Sequence, residues 1–137
     1  MKNFLFISLV LLVVVAVDAT GDAFRLRGWQ VPHHVMEIFH VGLWIYIWAF
    51  YKFHRDLIWT YILGRIIVFD LVFNLVAGLS IGYVGDSSIY DISVRMFGEL
   101  VNQHPVHFAF ILRFIAFLGW ISVVIKNSHV KLRKGNG

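Results

Sequence analysis

Four stretches of this chain are too long and too apolar to hide in a water-soluble core of 137 residues. They cover residues 4–17, 35–53, 57–82 and 106–125, and only a short polar turn separates the middle two. Backbone in lipid must satisfy its own hydrogen bonds, so such runs become helices. About twenty apolar residues cross the hydrocarbon core, which is about 30 Å thick. Hydrophobic residues make up 59% of the chain and charged residues 15%, against about 45–50% and about 25% in soluble domains. A soluble domain of this size still exposes roughly a third of its unfolded surface, so the excess apolar surface needs lipid. Disorder is excluded, because it requires low hydrophobicity and high charge. The fold class is therefore all-α. A polytopic helical membrane protein is expected, with an N-terminal signal or anchor helix, three transmembrane helices and one amphipathic interfacial helix.

The first apolar run follows Lys2 and is short for a span. It fits the apolar region of a signal peptide, with small residues around a cleavage point after Ala19. It reads equally as an uncleaved first span. Residues 20–31 are mixed and polar, a surface loop with Trp29 at headgroup level. Pro32 suits the first position of a helix. Lys52, His54, Arg55 and Asp56 form a tight polar turn. The segment 57–82 would be about 39 Å long if wholly helical, so it must tilt or begin in the headgroup zone.

Residues 88–103 carry Ile89, Ile92, Met96, Phe97 and Leu100 at helical spacing, with Asp91, Arg95 and Glu99 on another face. That pattern predicts a helix lying in the interface, with Ser88 and Asp91 as a capping box and His104-Pro105 as its stop. The spans make one domain. Residues 1–19 are its signal peptide or anchor helix, 20–125 the transmembrane helical domain, and 126–137 a basic tail.

The formal net charge is +4. The basic residues sit at membrane borders and in the tail, so nucleic acid is not an expected partner. With the N-terminus inside, Lys2, Lys52, Arg55, Lys126, Lys131, Arg133 and Lys134 fall inside, and Arg25, Arg27 and Arg95 outside. Seven against three obeys the positive-inside rule and puts the C-terminus in the cytoplasm. There is no cysteine, which removes disulfides, thiolate metal sites and thiol nucleophiles. No GxSxG, HExxH, P-loop or dinucleotide motif occurs.

Arg65, Asp70 and Asn74 lie inside the third segment and Arg113 inside the last. A charge at the bilayer centre costs about 2.5–3.5 kcal/mol on insertion scales, so such residues face protein and find partners. Asp70 and Asn74 share a helix face. The last two spans run antiparallel, and a long arginine side chain reaches between the depths of Arg113 and Asp70. An Arg113–Asp70/Asn74 cluster is expected, with Arg65 approaching Asp70 or reaching toward the cytoplasmic interface. Gly78 and Gly82 form a GxxxG pattern that allows close helix approach, and glycines here also end helices.

Five of seven histidines fall on the outer side, among them His34. His33, Glu37 and His40 share one helix face, and His104 and His107 are spaced i, i+3. Such groups can hold Zn²⁺ or a related ion between two helix ends. They match no established zinc motif, and histidine is also at ease among headgroups, so the reading adopted assigns no metal and no cofactor. His40 and His54 are fourteen apart, a spacing used for haem pairs, but a second pair is missing.

The string Arg65-x4-Asp70-x3-Asn74-x3-Gly78, then Asp86, then Ser93-x-Arg95 resembles a pattern in small uncharacterised membrane proteins encoded by tailed phages and prophages. In those, an Asp-x3-Asn-x3-Gly helix runs into a Gly/Pro/Asp turn and a Ser-x-Arg segment. The resemblance covers roughly residues 65–95; here the turn is longer and lacks the proline. It implies a phage-encoded or bacterial inner-membrane protein and brings no catalytic residues.

The function expected is structural or interactive and non-enzymatic. The partners are the lipid bilayer and either a second copy or another membrane protein. A holin-like permeabilising or transport protein is the alternative, followed by a metal- or haem-binding membrane subunit.

Overall fold

The computed structural model describes residues 2–50, 55–84 and 89–129. They form five helices: α1 (Lys2–Leu26), α2 (Gln30–Phe50), α3 (Arg55–Ala77), α4 (Ile89–Leu100) and α5 (Pro105–His129). No strand occurs among the described residues. Three helices are long and apolar enough to cross a membrane: α1 over Phe4–Leu26, α3 over Arg55–Ala77 and α5 over Pro105–Asn127. The expected span 35–53 falls mainly in α2, which is not among them, because His33, His34, Glu37 and His40 dilute its apolar run. The turn residues Lys52 and His54 lie outside the described residues, as do Asp86, Ser88 and the tail beyond His129.

The contacts fix how the helices run. Leu12 lies against Gly64, and Arg27 against Gly78, so α1 and α3 are parallel. His33 meets Gly21, and Ile47 joins Ile7 and Leu11, so α2 returns antiparallel along α1. Asp70 meets Arg113, and Leu63 meets Gly119, so α5 runs antiparallel to α3. The main core lies between α1, α2 and α3 and contains Ile7, Leu11, Val14, Ile47 and Leu57. A second small core joins Val84, Val94 and Ala109 where α4 meets α5.

The helix limits correct several expectations. α1 does not end near residue 17 but continues through Asp18 and Ala19 to Leu26. Thr20 stays helical, its hydroxyl donating to the Ala16 carbonyl, and Gly21 lets α2 approach so closely that a Cβ there would lie 3.2 Å from Met36 Cβ. This last turn and a half is helix rather than loop, with Gly21 and Ala23 buried and Arg25 and Leu26 exposed. α2 starts at Gln30, two residues before Pro32, still inside the first turn where a missing N–H costs nothing.

α3 stops at Ala77, not residue 82. Gly78 sits at φ +73°. Its N–H donates to Leu75, and the Leu79 N–H donates to Asn74. This pair of bonds is a Schellman cap, which needs a left-handed residue just past the helix. Gly28 and Asn102 end α1 and α4 with the same two bonds at φ 74° and 57°. Two corrections follow. Gly78 and Gly82 are not a helix-packing face, because both lie beyond α3. α4 ends through Asn102, ahead of His104-Pro105. The shortened α3 is about 35 Å long, which removes about half of the length mismatch.

α4 has the amphipathic pattern expected of 88–103. Val94 and Gly98 turn inward, and Ile92, Met96 and Leu100 face outward. α5 runs past 125, carrying Lys126 and Asn127 as its last described side chains.

Candidate functional site

Polar side chains within the helices form five groups. The first is the pair read from sequence. Arg113 Nη2 donates to Asp70 Oδ2 at 3.1 Å across the α3–α5 contact. The Arg113 side chain is 6% exposed and that of Asp70 20%. Asp70 meets one of the guanidinium nitrogens; Arg113 Nε and Nη1 are buried with no hydrogen-bond partner among the described residues. The Phe110 ring lies 5.4 Å from the Arg113 guanidinium carbon.

Asn74 does not join that pair. Its side chain, 2% exposed, donates from Nδ2 to the carbonyls of Tyr83 (2.9 Å) and Ile81 (3.4 Å). Together with its own carbonyl in the Schellman cap, Asn74 ties down the chain leaving α3. Arg95 on α4 holds the same segment, donating to the Val84 carbonyl at 2.7 Å. Gly82 belongs here too, since a Cβ there would lie 2.6 Å from Val106 Cγ1. These residues clamp the α3–α4 connection onto α5.

Arg65 does not approach Asp70. Its Nη1 donates to Asp18 Oδ2 on α1 at 2.6 Å, and its guanidinium lies 4.2 Å from the centre of the Phe69 ring. Asp18 Oδ1 faces Nδ1 of His40 at 3.4 Å, and Nε2 of His40 accepts from the Trp44 indole at 2.9 Å. The result is a chain of polar groups, Trp44–His40–Asp18–Arg65, that joins α2, α1 and α3. Sequence reasoning missed Asp18 because it was placed beside a cleavage point. An acid in an apolar helix needs a cation, and Arg65 was a cation with no settled partner. That need was the available signal. His40, bound on both ring nitrogens in this chain, is removed from the haem reading, and its expected partner His54 lies outside the described residues.

At the opposite end of the bundle, Lys126 Nζ approaches Asp56 Oδ2 at 3.9 Å, and the Thr60 hydroxyl donates to the Asp56 carbonyl.

The fifth group lies at the start of α2. His33 Nε2 is 3.3 Å from Glu37 Oε1, and His34 Nδ1 is 2.9 Å from Glu37 Oε2. Among the described residues, His33, His34 and Glu37 are a set whose ligand atoms lie within 4.8 Å of one another. His40 turns to Asp18 instead. The rings of His104 and His107 lie beside each other at the α4–α5 corner, tilted by 57° with 5.9 Å between centres, and His104 lines a separate hollow with Arg95 and Val106. The expected face of His33, Glu37 and His40 therefore divides, and His34 takes the third place. An i, i+4, i+7 pattern overlooks it, although Glu37 is one turn from both histidines and reaches each.

No family model, curated protein or solved structure matches the chain.

Proposed function

We propose that this chain is a small multi-pass protein of a bacterial inner membrane that acts without catalysis, by packing against a second copy or another membrane protein. The observation that carries the reading is the use of its intramembrane charges. Asp70 meets Arg113 and Asp18 meets Arg65, each across two helices. Charged groups in lipid mark either a transport path or helix-to-helix attachment. Here they are joined to one another, which favours attachment.

Four crossings account best for the helix directions. α1 and α3 are parallel, so a chain that crosses in both must return in α2, whose length of about 32 Å suffices. Its outward residues Ile38, Phe39, Ile45 and Trp48 suit lipid or a partner helix. α4, apolar on its outward side, lies along the outer interface. The balance of basic residues favours a cytoplasmic C-terminus, and the resemblance of residues 65–95 to phage-encoded proteins favours the bacterial inner membrane. α1 stays attached as an anchor: its Val14, Val15 and Ala19 are fully buried, and cleavage after Ala19 would remove both core and Asp18.

Induced expression in bacteria loaded with a membrane-potential dye tests the reading. The potential should hold; rapid depolarisation would instead favour the holin-like alternative. Exchanging Asp70 and Arg113 separates attachment from chemistry. The double exchange should restore both assembly and function, whereas assembly restored without function would give Asp70 a chemical role. Mass measurement of the purified protein should find residues 1–19 retained, and a reporter at Gly137 should be active only in the cytoplasm.

A further inference from the structure

His33 is buried, and its Nδ1 lies 2.9 Å from the carbonyl oxygen of Gly21 on α1. A carbonyl can only accept, so Nδ1 carries the proton of that bond. In the neutral ring Nε2 then presents a lone pair. It points at a carboxylate oxygen of Glu37, 3.3 Å away. Two acceptors at that distance require a positive charge on or between them. The other Glu37 oxygen meets a second imidazole, that of His34.

The spacing has a simple geometric reading. Ligand atoms about 2.0–2.1 Å from a tetrahedral zinc ion are about 3.3–3.4 Å from each other. The His33–Glu37 separation falls at that edge length, His34 Nδ1 lies 2.9 Å from the other Glu37 oxygen, and one ligand atom from each residue lies within 4.8 Å of the others, so side-chain shifts complete the shell. The Gly21 carbonyl supplies what a metal-bound histidine ordinarily has, an acceptor for its other ring N–H that sets tautomer and orientation. Gly21 suits this role, since a Cβ there would crowd Met36 and come within 3.7 Å of His33 Nδ1. His33 and Glu37 line a cleft of about 400 Å³ together with Asp22, a further carboxylate that favours a cation nearby; Asp18 and His40, also in its wall, are paired with Arg65 and with each other.

We propose that His33, His34 and Glu37 form a binding site for a divalent cation of the zinc class at the α1–α2 corner, with a fourth position open to water. Histidine and carboxylate ligands select a borderline ion such as Zn²⁺ over Ca²⁺ or Mg²⁺, which prefer all-oxygen shells. The site ties the start of α2 to the end of α1 through His33 and Gly21. It does not depend on what the protein packs against.

The test uses the full chain without an affinity tag, purified in detergent and freed of metal by chelation. Zn²⁺ alone is titrated by calorimetry, and Co²⁺ alone by visible absorption. One Zn²⁺ per chain is expected, with a Co²⁺ ligand-field spectrum that Zn²⁺ abolishes. H34A and E37Q change exposed side chains, so the fold is retained. Each should weaken Zn²⁺ binding at least about tenfold. The double variant H104A/H107A should bind as the unaltered chain does. Absence of Zn²⁺ binding by the unaltered chain, undiminished affinity in H34A and E37Q, or an equal loss in the H104A/H107A control overturns the proposal. A proton on His33 in place of a metal gives the first of these results.

Discussion

Arg65 and Arg113 each meet an aspartate on a neighbouring helix, at 2.6 and 3.1 Å. Their surroundings differ. The Arg65 side chain is 44% exposed, lies over Phe69 and shares Asp18 with His40. Arg113 is enclosed, faces one carboxylate oxygen and keeps two buried nitrogens with no hydrogen-bond partner among the described residues. Arg65, midway along α3, keeps the Tyr61 hydroxyl at 3.5 Å and the Phe69 ring as partners if Asp18 is removed. Arg113 keeps the Phe110 ring. The two contacts therefore have different sensitivities: Asp18 adds to an arginine that has other partners, whereas Asp70 is the described anion against a cation left with that ring.

Asp70→Asn should destabilise the bundle most, by about 3–5 kcal/mol, because it leaves a buried guanidinium without its counter-charge. Denaturation in mixed detergent micelles measures this. Replacing both partners by apolar residues, as in D70L/R113M, should recover most of the loss, since an enclosed pair often gains little over well-packed apolar groups. A double variant as unstable as Asp70→Asn alone would show that the pair itself contributes stability.

Asn74→Ala comes next, at about 1–3 kcal/mol, because it leaves the carbonyls of Ile81 and Tyr83 without their buried donor. Faster protease cleavage after α3 should accompany it. Asp18→Asn should cost about 1 kcal/mol, less than Asp70→Asn, because Arg65 keeps the Tyr61 hydroxyl and the Phe69 ring as partners. A loss as large as that of Asp70→Asn would erase the distinction drawn here. Arg65→Lys keeps the charge and loses the flat contact with Phe69, a change of about 0.5–1 kcal/mol. The same unfolding assay resolves it when compared with Asp18→Asn.

How much could be read in advance differs between the two pairs for a topological reason. Asp70 and Arg113 sit on successive long spans that must run antiparallel, so counting residues from the connection matches their depths. Asp18 and Arg65 sit on helices that are parallel and separated by a third. Nothing local relates them, and Asp18 sits among the small residues of a possible cleavage point, just ahead of a stretch that reads as a loop. Gly78 was ambiguous for another reason. A glycine four residues from another glycine satisfies a packing motif on a straight helix. Whether the helix is still present at that point depends on one backbone angle, and here φ is +73°.

Long apolar runs were enough to foretell an all-helical chain with helices long and apolar enough to cross a membrane, because lipid offers the backbone no hydrogen bonds and helices of that length supply their own. The order of those runs also foretold the Asp70–Arg113 contact. Helix ends, the partners of Arg65 and Asn74, and the meeting of His33, His34 and Glu37 depended on packing. Each is set by groups brought close from separate helices or by a single residue's backbone conformation, and neither leaves a periodic trace in the order of amino acids.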